Sequence, residues 1–224
     1  MKKILVMAIF LITIISLSAC NKLDVIRDHS IDSFDQVLKL AEDNVKSEDE
    51  TGTWSLSAPD QSARFVWSKD YSKTGFDVFL ETDVKPFLDA GLDVLKLPEG
   101  MLDGDKLIVG SDLGTQLTDE KEVSPLESYK KIVFTAREHL KYHGNLDHFG
   151  VDLGGGNVFE WAKNMKTNDK DIVFVLNPQV FIDAGVDPDK IEGWIFAKVE
   201  TMDAKGKKIE VEKLLKPFDL DNQQ

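Results

Sequence analysis

Three features of the sequence predict an α+β fold built from two tandem units. A thirty-residue stretch recurs at a fixed distance, an amphipathic helix pattern precedes each copy, and apolar runs punctuated by turn residues follow, as in antiparallel strands. Residues 67–96 align with 161–190 without a gap. Nine positions are identical: Trp67/Trp161, Lys69/Lys163, Asp77/Asp171, Phe87/Phe181, Asp89/Asp183, Ala90/Ala184, Gly91/Gly185, Asp93/Asp187 and Lys96/Lys190. Ordinary residue usage would give about two. Within the stretch, FLDAGLD (87–93) returns as FIDAGVD (181–187). A repeat of this period is read first, because it sets the architecture. Unit 1 is placed at 30–123 and unit 2 at 124–224. Each is expected to be a helix followed by an antiparallel sheet of about four strands, with the units related by a pseudo-two-fold axis.

The opening helix of unit 1 is predicted over about 31–47. Ser30 stands at the cap position, and Phe34, Val37, Leu38, Ala41 and Val45 share one face. Unit 2 opens at Ser124-Pro125, a cap followed by the proline that suits a first helical position. Leu126, Tyr129, Val133, Ala136 and Leu140 form its stripe, and Gly144 is the terminator. Strands follow at WSLSA, ARFVWS and FDVFLE in unit 1 and at HFGVDL, NVFEWA and DIVFVL in unit 2. DIVFVL shows no alternation, which predicts burial on both faces.

The recurring heptad then has a structural explanation. Phe87 and Phe181 pack a short helical turn onto the sheet. Gly91 and Gly185 end the turn in a left-handed conformation. Asp93 and Asp187 cap the next turn, with Pro188 at its first position in unit 2. Chain reversal between strands is favoured over a shared binding site. After it, KLIVGSD in unit 1 and WIFAKVET in unit 2 read as corresponding strands. Asp203-Ala204-Lys205-Gly206 is the expected turn into KIEVEKLL.

The N-terminus carries a different message. MKKILVMAIFLITIISLSAC has a basic head at Lys2 and Lys3 and an apolar run from Ile4 to Ile15, then small residues ending at Cys20. That is the layout of an export signal, and its apolar core is shorter than the roughly 20 residues of a membrane span. Leu17-Ser18-Ala19-Cys20 resembles the lipobox of bacterial lipoproteins. The resemblance covers about a tenth of the chain. It implies that residues 1–19 are a signal peptide cut before Cys20, and that the Cys20 thiol carries a diacylglycerol, with palmitate among the acyl chains. Residues 20–29 then form a short tether without a Gly/Ser-rich spacer. The implied place is the cell envelope: the outer face of the cytoplasmic membrane, or an outer membrane if the cell has one.

Cys20 is the only cysteine. Once lipidated, it leaves the mature chain without a disulfide, thiol nucleophile or thiolate ligand. Removing Lys2 and Lys3 with the signal takes the formal charge from −13 to −15. Such a body repels phosphate backbones and anionic lipid surfaces, so nucleic acid is excluded as a partner and attachment falls to the lipid.

Candidates for chemistry are few. His139, His143 and His148 lie within ten residues, HLKYHGNLDH, with Asp147 beside the last. On a helix His139 and His143 share a face, His143 inside the apolar stripe and His139 at its edge. With His148 or Asp147 they would make a ligand set for zinc or a similar divalent ion. The competing reading is favourable placement of imidazoles at a helix C-terminus. Leu140 stands where an HExxH protease motif has its glutamate. LGGGN (153–157) lacks a following Lys-Ser or Lys-Thr and precedes a strand, so it reads as a turn rather than a phosphate cradle. The acidic runs LDGDK and TNDKD lack the ligand spacing of a calcium loop. No G-x-S-x-G elbow occurs. Trp67 and Trp161, shared by both units, favour core packing over ligand stacking. The expectation is a membrane-anchored, non-catalytic binding or interaction module of the envelope, requiring no cofactor and with an envelope protein as candidate partner. The alternative is a metal-binding or metal-dependent protein using the histidines. Oligomeric state is not legible in the sequence.

Overall fold

A computed structural model describes residues 25–69, 76–112, 123–135, 137–143, 147–164, 171–202 and 207–220. The expected signal peptide, Cys20, the expected helix terminator Gly144 and the expected turn at 203–206 lie outside the described residues. Helix α1 (25–40) opens the chain. Strands β1 (Val45–Glu48), β2 (Thr53–Ser57), β3 (Ala63–Ser68) and β4 (Val78–Asp83) follow, then the short helix α2 (Lys85–Asp89), then β5 (Leu102–Asp103) and β6 (Lys106–Ser111). The second half runs α3 (Pro125–Thr135), β7 (Leu140–His143), β8 (His148–Asp152), β9 (Val158–Ala162), β10 (Ile172–Leu176), α4 (Gln179–Asp183), β11 (Ile195–Met202) and β12 (Lys208–Phe218). The strands form two antiparallel six-stranded sheets, ordered β1-β2-β3-β4-β6-β5 and β11-β12-β10-β9-β8-β7. No helix among the described residues is long and apolar enough to cross a membrane.

Each sheet thus has six strands rather than about four. The additional ones come from two places. The tails of both expected helices are strands: Val45 pairs with Leu56, and Leu140 with Val151. A single helical stripe fits Val45 and Leu140 as well as an edge strand does, and the cross-strand ladder decides between them. The third addition is β5, only two residues long. It lies outside β6 at its sheet's edge, as β11 lies outside β12, so strand order sets KLIVGSD alongside β12 and WIFAKVET alongside β5, rather than with each other as expected.

The helix caps also divide. Ser124 Oγ accepts from the Glu127 amide at 3.2 Å, as a cap should. Ser30 does not cap α1; it is buried inside the helix and donates to the Arg27 carbonyl at 2.7 Å. The buried stripe of α1 is nevertheless Ile31, Phe34, Val37, Leu38 and, just past its end, Ala41.

The core lies between the two sheets and under the two long helices. Aromatic contacts cross it between the two halves of the chain. Phe34 meets Tyr129 with ring centroids 4.2 Å apart. Phe65 stacks on Phe159 at 4.3 Å with the rings 2° from parallel, and Phe87 meets Phe181 at 4.8 Å. The long helices are anchored crosswise. Ser33 of α1 donates to the Ala162 carbonyl of the second sheet at 3.0 Å, and Ser128 of α3 donates to the Ser68 carbonyl of the first. Trp67 of β3 also donates to the Pro125 carbonyl at the start of α3, at 3.1 Å. Both Trp67 and Trp161 are fully buried.

Tyr129 sits in this core with no hydrogen-bond partner for its hydroxyl among the described residues. Burial pushes its pKa well above the ordinary phenol value, and the nearby Ser30 hydroxyl opposes this only in part. In the unfolded chain the phenol ionises near pH 10. The native state holds its proton longer, so its contribution is complete below pH 10 and is lost above it, at up to about 1.4 kcal/mol per pH unit. Tyr129→Phe is expected to flatten that alkaline loss and to leave neutral-pH stability unchanged or raised by up to about 1 kcal/mol. Denaturant titrations at pH 7 and pH 11 measure both effects; an unaltered alkaline slope would refute the assignment.

Candidate functional site

The recurring heptad is built the same way in both halves. Gly91 N–H reaches the Leu88 carbonyl at 3.0 Å and Leu92 N–H the Phe87 carbonyl at 2.9 Å; Gly185 to Ile182 and Val186 to Phe181 repeat this at 2.9 Å each. This pair of bonds closes a helix around a residue with positive φ. Gly91 and Gly185 supply it, at +105° and +97°. Asp93 then accepts from the Leu95 amide at 3.2 Å and Asp187 from the Asp189 amide at 3.3 Å, capping the next turns. Phe87 and Phe181 are buried.

The two heptads also hold each other. The Asp93 amide donates to the Ala184 carbonyl and the Asp187 amide to the Ala90 carbonyl, both at 2.9 Å. A Cβ on Gly91 would lie 3.0 Å from the Gly185 oxygen, and one on Gly185 would lie 3.2 Å from the Gly91 oxygen. These residues are occupied by a contact within the chain.

The histidine segment is not a helix. α3 ends at Thr135, His139 closes a 3-10 turn (Arg137–His139), and His143 ends strand β7. The expected shared helical face of His139 and His143 therefore does not form, because Leu140–His143 is drawn into the ladder with β8. That ladder sets His143 directly opposite His148. Asp147, with φ of +53°, is turned elsewhere: it accepts from the Tyr142 hydroxyl at 2.6 Å and lies 3.7 Å from Lys163 Nζ. Among the described residues no group of three or more His, Cys, Asp or Glu is arranged to hold a metal ion.

His148 has instead a partner that sequence reasoning missed. Its Nδ1 lies 3.7 Å from Glu160 Oε2, and both side chains are more than nine-tenths buried. Nδ1 makes no hydrogen bond among the described residues. Neighbours in the ladders add charge around the pair: Lys141 Nζ stands 3.5 Å from Asp152 Oδ2. Lys213 donates to the Gly156 carbonyl at 2.5 Å. Burial holds the Lys213 ammonium below its ordinary pKa, against the pull of Glu160 and Asp152. Both belong to the face of the second sheet turned away from Phe159 and Trp161, since strand neighbours alternate.

The LGGGN stretch makes the β8–β9 turn. Leu153 and Asn157 bond across it at 2.9 Å, and the three glycines all have positive φ. Asn177 fastens it, its Nδ2 donating to the Gly155 carbonyl at 2.8 Å. On the first sheet the corresponding outer face carries Arg64, which forks onto Glu81 at 2.8 and 2.9 Å.

No protein family, curated protein or solved structure matches the chain. The physical content of the site is thus a buried His148–Glu160 pair beside Asp152 and Lys213. One signal for it stands in NVFEWA, where a glutamate interrupts an otherwise apolar run. Its burial becomes readable only with the register of β8 against β9.

Proposed function

We propose that the protein is an extracytoplasmic lipoprotein, held to the membrane by lipid on Cys20, whose body is an internally duplicated α+β domain serving as a non-catalytic interaction module. The observation that carries this reading is the N-terminal layout ending in Leu17-Ser18-Ala19-Cys20, with Cys20 the only cysteine. Duplication is supported by reciprocity. Phe34/Tyr129, Phe65/Phe159 and Phe87/Phe181 each join a residue to its counterpart, and the Ser33 and Ser128 bonds mirror one another. That is what a two-fold axis requires of the contacts lying on it. In this reading each unit is one long helix plus one six-stranded sheet.

Labelling cells with palmitate tests the anchor. The wild-type chain is expected to take up label and sediment with membranes, and Cys20→Ser to take up none. An unlabelled wild type, or a labelled Cys20→Ser chain, would overturn the reading.

A second reading, divalent-metal binding, is favoured by one observation: Nδ1 of buried His148 makes no hydrogen bond among the described residues and lies 3.7 Å from Glu160 Oε2. Zinc at about 100-fold over its dissociation constant would then add about 2.7 kcal/mol. A melting temperature that rises with zinc and stops rising in His148→Ala supports it; a flat response across divalent metals removes it.

A further inference from the structure

The second sheet ends in an edge that the first lacks. β11 has eight residues where β5 has two, and it is the last strand of its sheet. It pairs with β12 through eight consecutive positions without a bulge. β12 in turn meets β10 only over Leu214–Phe218. Among the described residues, 208–213 and their partners 197–202 therefore form a two-stranded ribbon extending past the sheet. Such a ribbon is marginal by itself and gains most from a third strand. The free edge contains no proline, so the usual guards against strand addition are reduced to its charges.

Those charges are Lys198 and Glu200, on the same face of the strand and on either side of Val199. Their side chains are 60% and 69% exposed. Both have partners across the ribbon: Lys198 lies 3.8 Å from Glu212 and 3.9 Å from Glu210, and Lys208 lies 3.0 Å from Glu200.

We propose that the free edge of β11 is a self-association surface, pairing antiparallel with β11 of a second copy about a two-fold axis through Val199. In that register Lys198 of each copy stands opposite Glu200 of the other, and Val199 stands opposite itself. Sliding the pairing by two residues in either direction, which keeps the same faces together, sets Lys198 against Lys198 or Glu200 against Glu200. Opposite charges directly across a ladder stabilise it and like charges oppose it. One register is thus favoured and its neighbours are penalised, and the complementarity is to the strand's own sequence rather than to a foreign segment.

A thiol trap tests this in the full chain carrying Cys20→Ser, so that an introduced cysteine is the only one. Directly opposed strand residues have Cα atoms about 4.5–5.5 Å apart, within disulfide range. Val199→Cys is expected to oxidise to a covalent dimer, while Glu212→Cys, on the inner strand, stays monomeric. Adding Lys198→Glu to Val199→Cys should reduce the dimer yield about tenfold. The further change Glu200→Lys restores opposite charges in the same register and should restore the yield. The four substituted strand positions, Lys198, Val199, Glu200 and Glu212, are exposed or half-exposed, so folding is not at stake. The proposal is overturned if Val199→Cys gives no more dimer than Glu212→Cys. It is equally overturned if Lys198→Glu leaves the yield unchanged, which would point to random collision or to an edge reserved for another protein's strand.

Discussion

Gly91→Ala should be among the most destabilising single substitutions in this chain, for two separable reasons. Gly91 has φ of +105°, which side-chain-bearing residues rarely adopt, and its new Cβ would come within 3.0 Å of the Gly185 oxygen. The backbone strain alone costs about 1–3 kcal/mol. The contact adds to it because the Gly185 oxygen is main chain, and moving it would disturb the Asp93–Ala184 and Asp187–Ala90 hydrogen bonds. A total of about 3 kcal/mol corresponds to a fall in melting temperature of roughly 6–12 °C at this chain length. Gly100→Ala serves as the control: it also has positive φ, +81°, but no atom lies within 4 Å of its Cβ position. Gly91→Ala is therefore expected to melt several degrees below Gly100→Ala. Equal melting temperatures would show that the heptads do not depend on their close approach, and an unchanged temperature for Gly91→Ala would remove the whole account of the motif.

The heptad was the most legible part of the fold, because every role shared by its two copies is local. A glycine after a helical turn, an aspartate two residues later and a phenylalanine four residues earlier each act within a few residues. The partner of the motif was not legible. Nothing in FLDAGLD states that its other half lies against FIDAGVD; that follows from packing of the two sheets. Strand positions from β2 to β4 and from β8 to β10 could be read for the same reason as the heptad, since turn residues bound them closely. The β1 and β7 strands were misread because Val45, and Leu140 to His143, continue a helical stripe while gaining a sheet ladder. The histidine cluster went with them. Its apparent geometry belonged to a helix that stops at Thr135, and the residue that does approach His148, Glu160, lies on a neighbouring strand twelve positions away. The asymmetry between β5 and β11 was hidden for a related reason: aligning the repeat by its apolar runs matched KLIVGSD to the wrong strand of the hairpin.

Cutting the chain between its halves is expected to abolish folding of each half as a monomer, the largest effect anticipated here. Phe34, Phe65, Trp67 and Phe87 of the first half are all fully buried, and each touches an aromatic ring or helix end of the second half. Aromatic side chains bury roughly 150–250 Å² each, so uncovering half of that area on four of them forfeits on the order of 10 kcal/mol. A domain is stable by about 5–15 kcal/mol in all. The fragment also loses the crosswise anchoring, because the α3 hydroxyl that reaches Ser68 belongs to the other half and the Ser33 hydroxyl loses Ala162. Residues 21–123 alone should therefore lack a cooperative melt as a monomer, and any folded form should be a homodimer in which a second copy supplies the missing half. Mixing 21–123 with 124–224 should recover a single cooperative transition. Sedimentation combined with thermal melting distinguishes these outcomes. A monomeric 21–123 that melts cooperatively would mean that each sheet closes its own core, and that the aromatic pairs between the halves are a contact between finished domains rather than the centre of a shared one.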